Sequence, residues 1–324
     1  MLTYVSRRVL YSIPIILIAS FLLFWFVRES FDPCAKLRLS GREGAESYAR
    51  CADRLNLDDS IFQQYATWLG DALQGDLGES SRTNEDVSAM IPRAMWYTVQ
   101  LIFWGILLSA MLAVALGVYS AVKQYSVGDY AITGLAFIGL AMPPFWFGLI
   151  LIQLLAVGPR EWFDLDEPWF YFVGLHSGDQ TGFNLDYLRH LLLPVLTLTV
   201  QIIAEWSRFQ RASMLDVLSA DYIRTARAKG VPRRKVILKH GLRNALIPLV
   251  TVMAIDIGAL FGGVIITEKI FSIPGMGRLF YDSILAGDAT VLATWVVVVA
   301  IFIVLFNLLA DIIYGVLDPR IRLT

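Results

Sequence analysis

The chain has 324 residues, of which 56% are hydrophobic and 17% charged, with mean hydropathy +0.59 and net charge -1. Soluble domains carry about 25% charged residues, so this balance excludes an ordinary water-soluble domain. A net charge this close to zero also excludes a chain that binds polyanions along its whole length.

Crossing a bilayer takes about 20 predominantly apolar residues, and the first such run is 9–27. It follows Arg7 and Arg8, as in a signal peptide. No small-residue cleavage site follows it and further apolar runs do, which predicts a retained first helix.

Residues 28–96 form a long polar segment between the first two spans. Within it, "LNLDDSIFQQYATWLGDALQGDLGES" (55–80) predicts an amphipathic helix, with Ile61, Tyr65, Trp68, Leu69 and Leu73 recurring at three- and four-residue steps. Asp58, Asp59 or Ser60 caps its start, and Gly75 and Gly78 end it. The helix either lies on the membrane surface or serves as a docking platform for a soluble partner. Both of the chain's cysteines, Cys34 and Cys51, fall in this segment. Outside the cytoplasm disulfides persist, and a bridge here would contribute roughly 3 kcal/mol, so the two are expected to pair.

The second run is 97–122 and the third 131–159. The third holds "AMPPFWFG", in which Pro143 and Pro144 remove two donors and should kink the helix. The fourth, 190–204, is short for roughly 30 Å of hydrocarbon and is expected to continue past Glu205 to about Arg208. Glu205 and Arg208 are then one turn apart and placed to pair. The fifth, 246–267, carries Gly262 and Gly263 for close helix contact, and Asp256 near its middle. The sixth is 289–310. The expected fold is an all-α integral membrane protein of six transmembrane helices: residues 1–27, the 28–96 segment, and a five-helix core over 97–324.

Lys and Arg near the helix ends set the orientation. The stretch between spans four and five holds ten Arg and Lys against three acids, a net of +7, whereas residues 160–189 net -4. Both termini and the basic loop, about 213–245, therefore face the cytoplasm, and 28–96 lies outside. The loop also carries helix signals. Ser219 caps a helix over 220–229 that has Asp221 in its first turn, Gly230 breaks it, and Pro232 opens a second helix over 232–243. Such order exceeds what a topology signal needs and suits pressing against another protein. Beyond Tyr222 no aromatics interleave the charges, so nucleic acid is not the expected partner.

No G-x-x-x-x-G-K-[ST], H-E-x-x-H or G-x-S-x-G occurs. The three histidines, His176, His190 and His240, are scattered and point to no metal site. The chain itself is not expected to be an enzyme.

"YIRTARAKGVPRRKVILKHGLRNALIPL" resembles the cytoplasmic loop of permease subunits in binding-protein-dependent ABC importers, and in particular the first permease of the oligopeptide/dipeptide/nickel class. "AMPPFWFG", "HLLLPVLTL", "TEKIFSIPGMGRLFYDSI" and "DIIYGVLDPRIR" match that class in order, so the resemblance covers nearly the whole chain. The general importer motif has Glu six residues before its glycine, where this chain has Arg224, and Pro248 lies farther on than in that pattern; the peptide class shares both departures. The resemblance implies a bacterial inner-membrane location and partners: a homologous second permease, two ATPase domains and an external substrate-binding protein. It implies no cofactor in this chain, since ATP and Mg belong to the ATPase. It carries the coupling role onto Asp221, Arg224, Thr225, Ala226, Lys229 and Gly230.

A carboxylate at mid-span costs at least 2.5–3.5 kcal/mol, so Asp256 should face a cavity or a partner. It either lines the translocation pathway and meets a peptide's amino group, or pairs with a basic residue of the second permease. Glu205 is the other pathway candidate. The expected cargo is short peptides, with nickel or glutathione as alternatives within the class. An ion-coupled secondary transporter is the rival outside it, disfavoured by the single buried acid and the lack of an internal repeat.

Overall fold

A computed structural model describes residues 2–35, 42–260 and 264–317. Within them the elements are α1 (Leu2–Ser30), α2 (Arg42–Arg54), α3 (Ile61–Leu73), α4 (Val87–Val122), α5 (Val127–Ala141), α6 (Pro144–Ile152) and α7 (Gly158–Trp162). There follow α8 (Leu185–Ser219), α9 (Asp221–Ala228), α10 (Arg233–Lys235), α11 (Arg243–Leu260), α12 (Ile265–Ile270), α13 (Met276–Ala286) and α14 (Ala289–Leu317). A π-helical turn over Gln153–Val157 joins α6 to α7, and another over Val236–Leu242 joins α10 to α11.

Among the described residues five helices are long and apolar enough to cross a membrane, or six if the bent pair of α5 and the helix Pro144–Trp162 counts as one span. The bend is 103°. The two prolines therefore break span three instead of kinking it. Met142 and Pro143 both adopt extended backbone, the conformation that a following proline enforces, and Pro144 restarts the helix at its first position. The Met142 carbonyl freed by the break accepts from Gln201 Nε2 on α8 at 3.2 Å.

Span four is far longer than its apolar run. Asn184 caps α8 by accepting from the Tyr187 N–H at 2.8 Å, and the helix continues past Arg208 to Ser219. Its charged continuation stays helical because Arg211 finds Asp129 on α5. The centre of the fold is the packing of α4 on α8. A stripe of small buried residues on α4 (Gly105, Ser109, Ala113, Gly117 and Ala121) lets the two backbones approach closely. Span five was expected to use Gly262 and Gly263 in this way, but both lie outside the described residues, as does the chain's end from residue 318.

In the 28–96 segment, α3 is shorter than expected. Ser60 caps it in a capping box with Gln63, and it ends just ahead of Gly75. It packs on α1: Tyr65 and Trp68 lie against Phe24, and the Tyr65 hydroxyl is 2.6 Å from Ser20 Oγ. Leu73 does not join that face and is 82% exposed. The short helix α2 carries Cys51, which is bonded to Cys34 across a Cα–Cα distance of 6.0 Å.

Candidate functional site

At one end of the spans, polar loops lock onto each other through buried carboxylates. Ser80 Oγ donates to Asp288 Oδ2 at 2.6 Å, and the Gly174 N–H donates to the Phe271 carbonyl at 2.8 Å. Glu268, fully buried, organises the turn into α13. Thr98 Oγ1 donates to its Oε1 at 2.6 Å and accepts from the Met276 N–H at 2.8 Å, while the Arg278 N–H donates to Oε2 at 2.9 Å. The carboxylate thus sits on the free N–H groups at the start of α13. Burial nonetheless pushes the Glu268 carboxyl above its usual range. Two of the three histidines meet here as well: His176 Nδ1 and His190 Nδ1 lie 3.8 and 3.5 Å from the Asp186 carboxylate. Among the described residues, no group of three or more His, Cys, Asp or Glu is arranged to hold a metal ion.

The opposite end carries the basic loop. Helix α9 starts at Asp221 with Ala220 at its cap position and no side-chain bond there. Ser219 is not the cap: its hydroxyl donates to the Asp216 carbonyl at 2.7 Å and so closes α8 instead. Ile223 is the one fully buried residue of α9, and the Tyr222 hydroxyl accepts from Asn244 Nδ2 at 2.8 Å, which ties α9 to the start of α11. Asp221, Arg224, Thr225 and Lys229 are exposed, and Ala226 is half-buried. Arg224 and Asp221 pair at 3.6 Å, and Thr225 Oγ1 donates to the Asp221 carbonyl at 3.0 Å.

Gly230 ends α9 at φ +74°, a conformation that costs other L-residues about 1–2 kcal/mol. Its N–H donates to Arg227 O at 3.0 Å and the Val231 N–H donates to Ala226 O at 3.2 Å, a Schellman closure. The second helix of the loop does not stand alone. From Arg233 it runs through the π turn into α11, so a single 28-residue helix leads from the corner across the membrane. The extra residue per turn rotates Gly241 into the core against Met214.

Between the two ends, Trp206 on α8 is fully buried, and its Nε1 donates to Asp256 Oδ2 on α11 at 2.7 Å. Asp256 itself is half-buried. Glu205, the other pathway candidate, is exposed and makes no ion pair with Arg208 among the described residues. The Arg208 guanidinium lies over the Phe137 ring instead, 4.7 Å from its centroid.

Ile223, the Tyr222–Asn244 bond and Trp206 had no signal of their own in the sequence. Trp206 and the Tyr222–Asn244 bond are each defined by a contact with α11. The small-residue stripe on α4 was visible as a four-residue repeat.

Residues 113–323 match the family model described as the binding-protein-dependent transport system inner membrane component. The chain belongs to this family. The match contains the basic loop, Asp256 and the Glu268 turn, and leaves α1 to α3 outside.

This family member is 40% identical over 324 residues to the oligopeptide transport system permease protein AppB of Bacillus subtilis, covering 99% of this chain and 100% of that protein. It is 36% identical over 339 residues to the dipeptide transport system permease protein DppB of Escherichia coli K12, covering 99% of each. To the glutathione transport system permease protein GsiC of Escherichia coli O6:H1 it is 35% identical over 326 residues, again covering 99% of each. A chain of the MetNI methionine ABC transporter, in inward-facing conformations, matches the fold with TM-score 0.53 at 19% identity, covering 71% of this chain and 96% of that one. The protein is therefore a bacterial multi-pass inner-membrane component of a binding-protein-dependent transport system.

Proposed function

We propose that the chain is a permease subunit of an ATP-driven importer of short peptides and forms half of its translocation pathway. The observation that carries the coupling role is α9, an exposed charged helix held between two spans by the buried Ile223 and the Tyr222–Asn244 bond, with a fixed corner behind it. A soluble ATPase seated on Asp221, Arg224, Thr225, Ala226, Lys229 and Gly230 would push on α8 directly and on α11 through the continuous helix from Arg233. ATP and Mg stay on that partner, and this chain hydrolyses nothing itself.

By the distribution of Lys and Arg, the end bearing α9 faces the cytoplasm, together with both termini. The other end, with α3 and the Asp288 and Glu268 junctions, receives the substrate-binding protein. A homologous second permease completes the pathway. Asp256 and Glu205 are the proposed pathway residues. Held by Trp206 at mid-span, the Asp256 carboxylate suits the ammonium group of a peptide.

The cargo reading rests on near full-length similarity to permeases named for oligopeptides and dipeptides. The similarity to GsiC supports glutathione, itself a short peptide, as a second reading. Reconstitution of the complex with its binding protein in proteoliposomes tests both. ATP-dependent uptake of labelled di- and oligopeptides, resistant to uncouplers, is expected. Uptake driven by an ion gradient without ATP would overturn the importer reading, and uptake of glutathione alone would replace the cargo.

A further inference from the structure

Two adjoining clefts, about 560 and 690 Å³, open beside the C-terminal end of α4 and share Val122, Arg233 and Ile237. The first is walled by Val118, Tyr119 and Val122 of α4 and by Leu238 of the π turn, with Lys123, Arg233 and Arg234 at its rim. The second adds Arg227. No Asp or Glu lines either cleft, and among the described residues no carboxylate pairs with Lys123, Arg227, Arg233 or Arg234. All four cations are exposed.

The position relative to the bilayer is equally specific. The apolar run of α4 ends at Val122, and Arg233 and Arg234 of the basic loop line the cleft beside that end. The end of that apolar run puts the cleft at the membrane edge, with Lys123, Arg233 and Arg234 beside its apolar wall. We infer that this cleft binds an anionic phospholipid, the acyl chain against Val118 and Leu238 and the phosphate among Lys123, Arg233 and Arg234. Apolar wall, basic rim and absent acids together match that one amphipathic anion. The first cleft contains no residue of α9, so an ATPase seated on α9 leaves it open to lipid. The inference rests on the chain's place in a bilayer and not on its cargo, so a failure of peptide uptake leaves it standing.

The test uses the assembled complex taken from vesicles of equimolar phosphatidylcholine and phosphatidylglycerol, with retained lipid counted by native mass spectrometry. The wild type should retain phosphatidylglycerol in preference. R233Q/R234Q should lower that preference about twenty-five-fold, at roughly fivefold for each basic residue facing an anionic surface. Should the double variant fail to assemble, K123Q carries the test with a loss of about fivefold. Equal retention of the two lipids by the wild type would overturn the inference, as would unchanged preference in the assembled variants. Displacement of the lipid by inorganic phosphate would show a soluble-anion site and overturn it too.

Discussion

Arg211 and Asp129 meet through two parallel hydrogen bonds, Nε to Oδ1 at 2.8 Å and Nη2 to Oδ2 at 2.9 Å, and so fasten α8 to α5. Asp129 is only 2% exposed, and it also accepts from the Ser120 hydroxyl of α4 and from the Tyr125 N–H. Three spans are thus joined just inside the end that carries α9. A pair with one partner buried is costly to break singly but replaceable as a whole. Asp129→Ala should destabilise the assembled complex by about 1–3 kcal/mol, since the Arg211 side chain left behind is 27% exposed, read as a fall in melting temperature and yield. D129L/R211M should recover most of that loss. If the double variant is no better than the single one, the bond is not what joins these helices.

Gly230 has open space around its Cβ position, so the cost of a side chain there is conformational and not steric. G230A should assemble yet lose about 1–2 kcal/mol of corner stability, with uptake per ATP hydrolysed falling. G230N should lie between the two, because asparagine tolerates the left-handed region. Equal coupling in all three would remove the corner from the coupling path.

The Glu268 turn tolerates no Cβ at Gly275, where an added methyl would meet the Glu268 carboxylate and lie 2.6 Å from Thr98 Oγ1. G275A should cost about 1–3 kcal/mol through overpacking, measured as thermal stability of the complex. Burial holds the Glu268 carboxyl above its ordinary value of 4.5, so the folded state binds this proton more tightly than the unfolded chain does. Its contribution is therefore full below about pH 4.5 and is lost as pH rises through the raised value. E268Q should flatten that decline when melting is followed from acid to neutral pH.

Trp206→Phe keeps the buried ring but removes the donor to Asp256, a bond to a charged group worth about 1.5–3 kcal/mol. D256N retains an acceptor for the indole and should be nearly as stable as wild type. If D256N assembles normally and uptake is unchanged, the charge has no part in transport. If uptake falls while stability holds, the carboxylate acts on cargo.

The sequence made legible what depends on neighbours along the chain. Ser60, Gly230 and the Pro143–Pro144 pair each mark a local backbone event, and the helix boundaries fall at or beside them. The length of α8 was hidden because Arg211 lowers hydropathy while its partner lies on another helix. Helix α13 was missed for the same reason: its start is organised by Glu268 and Thr98, the latter more than a hundred residues earlier. Glu205 and Arg208 show the converse. Their spacing permits a pair, but Phe137 offers the guanidinium an aromatic face instead.

The break at Pro143 also bears on how the protein is made. At a rise of 1.5 Å per residue, the 15 residues of α5 span about 22 Å, short of a bilayer's hydrocarbon, whereas the helix from Pro144 runs on through the π turn and α7 to Trp162, about 28 Å. The first half alone is too short for a finished crossing, and the Met142 carbonyl exposed at the break accepts from Gln201 of a helix synthesised later. Span three should therefore gain its full stability only once α8 is in place, so a chain truncated ahead of α8 should insert this span less efficiently.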